Sequence, residues 1–318
     1  MTLLFLEPIF KERIWGGNKL KTDFGYNIPS NFTGECWAIS AHQQGQTVVR
    51  GGKFAGVPLS QLWDEHADLF ANTKKRPFPL MVKILDANQD LSVQVHPDDK
   101  FAQLVENEMG KAECWYIIDA NRDAQIIYGH TAKTSEEFKQ KVAQNQWGQL
   151  LVSQHVKRGD SFDVPPGTVH ALGAGTLVLE VQQSSDMTYR LFDYERTDNN
   201  GNLRELHLDK AFAVIQASHQ KKNINSTPRK IAPNTYFTPI ANNQYFQTAK
   251  IEINGNLELP LSAAYSLVSV IDGFATINGN NIKKGDHFIV PNEIRKLSIT
   301  GCTTLVIANE TPTPQKIN

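Results

Sequence analysis

Short runs of β-forming residues, each cut off by turn residues, constrain this 318-residue chain more than any other feature. Leu80–Leu85, Leu91–His96, Glu113–Asp119, Ala124–Tyr128, Asp160–Val164 and Thr176–Gln182 are rich in apolar, β-branched and aromatic side chains, and Gly, Pro, Asn or Asp bound them. Runs of about five to seven residues between turn signals are the pattern of stacked or closed antiparallel sheets. Three segments read as helices instead. Ser60–Phe70 places a Ser cap before Leu62, Trp63, His66 and Leu69. Thr134–Leu151 opens Thr-Ser-Glu-Glu-Phe and spaces Phe138, Val142 and Trp147 at near-helical intervals. Lys210–Ala217 is a shorter candidate. The expectation is a mainly β protein with a few helices packed outside its core.

The bulk chemistry excludes several classes. The formal net charge is -1, which favours neither a nucleic-acid nor an anionic-membrane partner. No apolar run approaches the roughly 20 residues that span a bilayer, and Met1–Pro8 has no basic flank and reaches Glu7 too early for a signal peptide. A cytoplasmic location is expected, and the oligomeric state is left open. Cys36, Cys114 and Cys302 are scattered with no C-x-x-C pair, so neither a disulfide framework nor a thiolate zinc site is expected. All three read as buried, small, apolar residues.

Apolar periodicity lapses over 220–233, where Lys, Asn, Ser and Pro accumulate, and strand-like runs then resume as far as Ala308. The tail 311–318 has two prolines, no pattern and the look of a loose end. A weak internal repeat links the two parts. Val156-Lys-Arg-Gly-Asp-Ser-Phe-Asp-Val-Pro165 resembles Ile282-Lys-Lys-Gly-Asp-His-Phe-Ile-Val-Pro291. Each has a Gly-Asp turn feeding a strand that ends in Pro. Five residues beyond the proline stands His170 in the first copy and Lys296 in the second. One ligand-bearing β module, residues 1–228, and one inert module, residues 229–318, are expected.

The ligand-bearing module carries the densest chemistry. Alternation along a strand puts Ser92, Gln94 and His96 on one face. Lys111, Glu113 and Trp115 form a second such face, and His170 follows the tight Pro165-Pro166-Gly167 turn. Two imidazoles, one carboxylate and one amide oxygen make a donor set for zinc, manganese, iron, cobalt or nickel. With a single anionic ligand, a divalent ion keeps about one net positive charge, which suits a Lewis acid. The remaining histidines (His42, His66, His130, His155, His207, His219 and His287) have no comparable setting and read as structural.

These motifs resemble a known family. Gly159-Asp160-(x)4-Pro165-Pro166-Gly167-x-x-His170 is similar to the second characteristic motif of cupins. Gln94-x-His96-Pro97-Asp98-Asp99 with Lys111-x-Glu113 resembles the type I phosphomannose isomerases, as do Arg13-Ile14-Trp15-Gly16-Gly17, Pro79–Leu85 and Glu180-(x)5-Asp186-(x)3-Arg190. The resemblance implies two cupin-type, jelly-roll β-barrels, the second without metal ligands. It implies a Zn2+-dependent enzyme that interconverts mannose 6-phosphate and fructose 6-phosphate, with a small-molecule hexose phosphate as its partner. The family's zinc ligands fall on Gln94, His96, Glu113 and His170. Its proposed catalytic arginine falls on Arg190, and its pocket positions on Trp15, Lys83, Ser92, Lys111, Glu180 and Asp186. Either Glu180 or Asp186 could serve as base. Leu172 and Arg196 depart from the longer members, which carry Tyr and Lys there. Two rival readings share the donor set: an iron-dependent cupin oxygenase and a non-catalytic sugar-phosphate-binding cupin.

Overall fold

The computed structural model describes residues 2–73, 76–197, 201–219 and 226–311. Residues 220–225 of the break at 220–233, and the tail beyond Thr311, fall outside the described residues; within the break Arg229–Ala232 forms a strand. Among those described, antiparallel strands build sheets of nine, six, five and two strands. The six-stranded sheet runs in the order Ser161–Val164, Glu113–Ala120, Thr176–Gln183, Leu80–Ala87, Thr33–Ile39, Ile9–Gly17. The five-stranded sheet runs Leu151–His155, Gln125–His130, His170–Leu172, Val93–Val95, Tyr189–Phe192.

Strand alternation sorts the side chains of these two sheets. Trp115, Ile117, Phe162 and Val178 of the larger sheet share one core with Ile126, Tyr128 and Leu172 of the smaller. Their inner faces therefore meet as a sandwich. The opposite face of the larger sheet sends Cys36, Val82, Ile84, Cys114 and Leu179 into a second core. Helices cover the outside of the smaller sheet, where Val93, Val95, Ala171 and Leu191 pack with Phe138, Leu150 and Ala211. The mainly β architecture with external helices is as the sequence indicates. The expected barrels differ in one respect: none of the sheets closes on itself among the described residues, and each ends in free edges.

The nine-stranded sheet holds the C-terminal strands together with Leu4–Glu7, whose partner is His287–Val290. Its three long strands, Phe246–Pro260, Ser266–Ile277 and Lys296–Glu310, feed an interior of Ile251, Val268, Val270, Phe288 and Leu305. The internal repeat is visible here as geometry. In one turn Asp160 Oδ2 accepts from the Lys157 amide at 3.0 Å, and in the other Asp286 Oδ2 accepts from the Lys283 amide at 2.9 Å. Both turns need a left-handed glycine, Gly159 at φ +95 and Gly285 at φ +90. Each feeds a strand in matching register, Val164 opposite Glu113 and Val290 opposite Ser266. Ser266 thus stands where the first copy has its carboxylate.

Local departures have local causes. The helix at Ser60–Phe70 begins one residue earlier, behind Pro58, and breaks at His66 into Leu59–Glu65 and a 3₁₀ turn, Ala67–Phe70. Thr134 caps Ser135–Ala143 as its sequence indicates, its Oγ1 accepting from the Glu137 amide at 3.1 Å. That helix stops short because Asn145 turns left-handed, and Trp147–Leu150 forms a separate turn. The third helix is Leu208–Val214. Asp99–Val105, capped by Asp98, is a helix that apolar periodicity did not reveal. Cys36 and Cys114 are buried, but Cys302 is exposed, because its strand turns Thr303 and Leu305 inward instead. Leu91 leaves the Val93–Val95 strand and joins the inner core rather than the outer face.

Candidate metal centre and active-site cavity

The inner face of the sandwich concentrates charge where hydrocarbon would otherwise pack. On adjacent strands of the larger sheet, Trp37 lies opposite Lys83, Lys83 opposite Glu180, and Glu180 opposite Trp115. On the smaller sheet His170 and Arg190 both flank Gln94. Neighbouring inward positions on paired strands lie within side-chain reach, so residues remote in sequence converge on one volume.

At its base stand His96, Glu113 and His170, whose donor atoms all lie within 4.8 Å of one another. Glu113 Oε2 is 3.4 Å from His96 Nε2, and Glu113 Oε1 is 3.3 Å from His170 Nε2. The Gln94 amide lies 3.4 Å from His170 Nε2, and half a turn of that amide presents its oxygen at the same place. His170 Nδ1 donates to the Thr168 carbonyl at 2.9 Å, which leaves the Nε2 lone pair facing inward. The Pro-Pro-Gly turn is tied to the facing ligand strand, since the Gly167 amide donates to the His96 carbonyl at 2.9 Å.

The trio fits a cation. Both His96 ring nitrogens and both Glu113 oxygens are buried and find no hydrogen-bond partner among the described residues. Burial drives His96 down to about 3 and also lowers His170, so both imidazoles are neutral at neutral pH. Burial works against the Glu113 carboxylate, yet Lys111, 3.5 Å away, holds it well below the usual carboxylate range. Imidazole lone pairs set against a carboxylate form a conflict that a divalent ion resolves.

Beside this base opens a cavity of about 410 Å³. Trp15, Lys83, Ser92, Gln94, Lys111, Glu180, Asp186 and Arg190 all line it. Glu180 is buried and accepts from Trp115 Nε1 at 3.0 Å; burial and then the charge of Glu113 raise its carboxyl to about 7. Lys83 is buried, with Asp186 at 3.4 Å, Glu35 at 3.9 Å and the Trp37 ring 4.8 Å beneath it. The sequence reading passed over Arg13, Glu35 and Arg204, which share the cavity. Glu35 accepts from Trp37 Nε1 at 2.6 Å and from Arg13 Nε at 2.7 Å. Its burial is outweighed by Lys83 and Arg13, which hold it down to about 2. A charge at the head of the apolar run Cys36-Trp-Ala-Ile39 was the available signal for Glu35. Leu172 lines the cavity too, whereas Arg196 stands outside it.

Known proteins resemble this chain over nearly its whole length. Residues 3–121 match the phosphomannose isomerase type I catalytic domain, and residues 237–309 match the mannose-6-phosphate isomerase cupin domain. The probable mannose-6-phosphate isomerase GmuF of Bacillus subtilis (strain 168) is 47% identical over 311 residues, spanning 96% of this chain and 98% of that protein. This chain belongs to the type I phosphomannose isomerase family. The mannose-6-phosphate isomerase of Streptococcus mutans is 45% identical, again over 96% of this chain and 98% of its own length. The crystal structure of mannose 6-phosphate isomerase from Bacillus subtilis matches with a TM-score of 0.94 at 42% identity, covering 97% of this chain and all (100%) of that one. Among the described residues no helix of this phosphomannose isomerase family member is long and apolar enough to cross a membrane.

Proposed function

We propose that this protein interconverts mannose 6-phosphate and fructose 6-phosphate in the cytoplasm as a zinc-dependent aldose–ketose isomerase, with residues 1–228 carrying the chemistry and residues 229–318 forming a ligand-free β unit. One observation carries the reading: a single cavity brings a buried carboxyl, Glu180, and three cations, Lys83, Lys111 and Arg190, against the His96–Glu113–His170 trio. Moving a carbonyl from C1 to C2 requires removal of the C2 proton, its return to C1, and transfer of a proton between the two oxygens. The barrier lies in the carbanion beside the carbonyl, which survives as an enediol or enediolate.

Glu180 is the base in this reading. A carboxyl near pH 7 in its titration takes the carbon proton and still returns it, and the Trp115 Nε1 bond fixes the other face of the group. Asp186 is spent on Lys83, and that pair orients the lysine toward the sugar. Arg190 presents a permanently charged fork to the developing oxyanion. Gln94, His96, Glu113 and His170 would hold zinc, which when bound supplies Lewis-acid charge for the sugar oxygens.

A coupled assay on metal-analysed protein tests the proposal. Conversion of mannose 6-phosphate to fructose 6-phosphate is expected, with loss on chelation and recovery with added zinc. Full turnover in protein shown to contain no metal would overturn the zinc requirement, and absence of turnover in the zinc-loaded protein would overturn the isomerase reading.

A further inference from the structure

The cavity wall is electrostatically lopsided. Around Lys83, Lys111 and Arg13 each cation has a carboxylate: Asp186 and Glu35 for Lys83, Glu113 for Lys111, and Glu35 for Arg13. The opposite rim is different. Arg190 Nη1 donates to the backbone carbonyl of Glu205 at 2.7 Å, and its buried Nε has no hydrogen-bond partner among the described residues. The Glu205 carboxylate itself is 82% exposed. Arg204 lines the same cavity and has, among the described residues, one carboxylate, Asp193, which it shares with Arg196. Among the described residues, Asp193 is therefore the one buried carboxylate paired with Arg196 and Arg204, and its charge also reaches Arg190.

The two outer arginines are not equivalent. Arg196 spends Nε on the Asp193 carbonyl at 3.2 Å, Nη2 on Asp193 Oδ1 at 2.6 Å and Nη1 on the Asp90 carbonyl. It faces a separate surface cleft beside Tyr194. Arg204 is held on one edge only. Its Nε donates to Asp193 Oδ2 at 2.6 Å and its Nη2 to Asp193 Oδ1, while Nη1 has no hydrogen-bond partner among the described residues. Asp193 thus fixes the Arg204 fork without neutralising the rim. The mutual repulsion of Arg190 and Arg204 is one reason, after burial, that Arg190 has a lowered pKa.

We infer that Arg204, oriented by Asp193, is the anchor for the substrate's phosphate dianion, and that Arg196 is a brace for Asp193 and not a phosphate ligand. The inference rests on the sugar-phosphate reading above. A dianion against Arg204 supplies the missing negative charge and an acceptor for its free Nη1 donors. The hexose is then oriented end to end, with its phosphate at Arg204 and C1–C2 toward Arg190 and Glu180.

The test is calorimetric binding of mannose 6-phosphate and of inorganic phosphate to the full chain, beside steady-state kinetics, for wild type, Arg204→Gln and Arg204→Lys. Arg204→Gln is expected to weaken both ligands by a common factor of about ten to a hundred, the loss of a charge-assisted hydrogen bond. KM should rise by a similar factor and kcat should change much less. Arg204→Lys keeps the charge and one donor direction, so it should fall between the two and supplies the reading if Arg204→Gln fails to fold. Wild-type affinity for inorganic phosphate in either variant, or a fall in kcat with phosphate binding intact, would overturn the assignment. A wild type that binds mannose 6-phosphate through Arg204 yet does not isomerise it would sink the proposed function alone.

Discussion

At the scale of single residues, the proposed chemistry divides the site into groups that would hold a cation and groups that would handle the sugar. His170 is wholly buried and aims Nε2 at Glu113, whereas Arg190 touches neither His96 nor Glu113 through any ion pair. His170→Ala is therefore expected to strip bound metal and activity together. Arg190→Ala should retain metal and lose turnover by about a hundredfold or more, the scale seen when an oxyanion donor is removed. Metal analysis beside rate measurement separates the two, and equal metal loss in both would contradict the division. Glu180 supports a second prediction. Its carboxyl is raised to about 7 and must be ionised to take a carbon proton. The rate should fall as pH drops through about 7, rather than near the ordinary carboxylate value of about 4.3. A kcat flat between pH 5 and 8 would exclude Glu180 as base, and Glu180→Gln should be inactive with its metal in place.

At the scale of elements, strands and turns decide what the site can hold. Gly159 and Gly167 are both left-handed, at φ +95 and φ +83. A Cβ on Gly159 meets nothing within 4 Å, but one on Gly167 would come 2.8 Å from the Val214 carbonyl oxygen. Gly159→Ala should cost about 1–2 kcal/mol of stability from backbone strain alone. Gly167→Ala should cost more and also reduce metal retention, because the same turn sets the approach of His170. Thermal melts with metal analysis check this, and equal effects from the two changes would refute it. Much at this scale was legible in the sequence. Period-two patterning separated Glu113 and Trp115 from Cys114, and the structure sends the first pair to the site-bearing core and the cysteine to the other. Helix ends were less legible, since His66 and Asn145 break their helices through backbone geometry that apolar spacing does not register.

At the scale of the whole molecule, amino-terminal and carboxy-terminal strands share a core. Leu4 and Leu6 join Ile84, Leu179, Leu267 and Val306 in it, and the Leu4–Glu7 strand pairs with His287–Val290. A buried polar chain crosses the same junction. Tyr26 Oη donates to the Gly285 carbonyl at 3.0 Å and lies 2.7 Å from His287 Nε2, while His287 Nδ1 is 2.8 Å from Ser269 Oγ. Burial, helped by Arg50, pushes His287 down to about 3. An unfolded histidine titrates near 6.5. Between pH 6.5 and about 3 the unfolded chain therefore binds a proton that folded His287 refuses, so stability falls as pH falls, by about 1.4 kcal/mol per pH unit for one such group. Replacing His287 with Gln should lower stability at pH 7 and flatten this decline. Urea midpoints at pH 7 and pH 5 measure it, and an unchanged slope would rule out the His287 contribution.

The sequence by itself determined the mainly β class, the inward and outward faces of the strands, the donor types of the candidate metal centre and, through separated motifs, the family resemblance. These are local matters: a period of two, a turn residue, a ligand spacing. Only the tertiary structure decided that the sheets end in open edges and that Leu4–Glu7 belongs with the C-terminal strands. It also decided that Glu35 holds both Lys83 and Arg13, and that Arg204 rather than Arg196 reaches the cavity. Each of those outcomes depends on which strand edges meet and which charges are left without a counter-ion once distant segments pack, and no window of neighbouring residues contains that information.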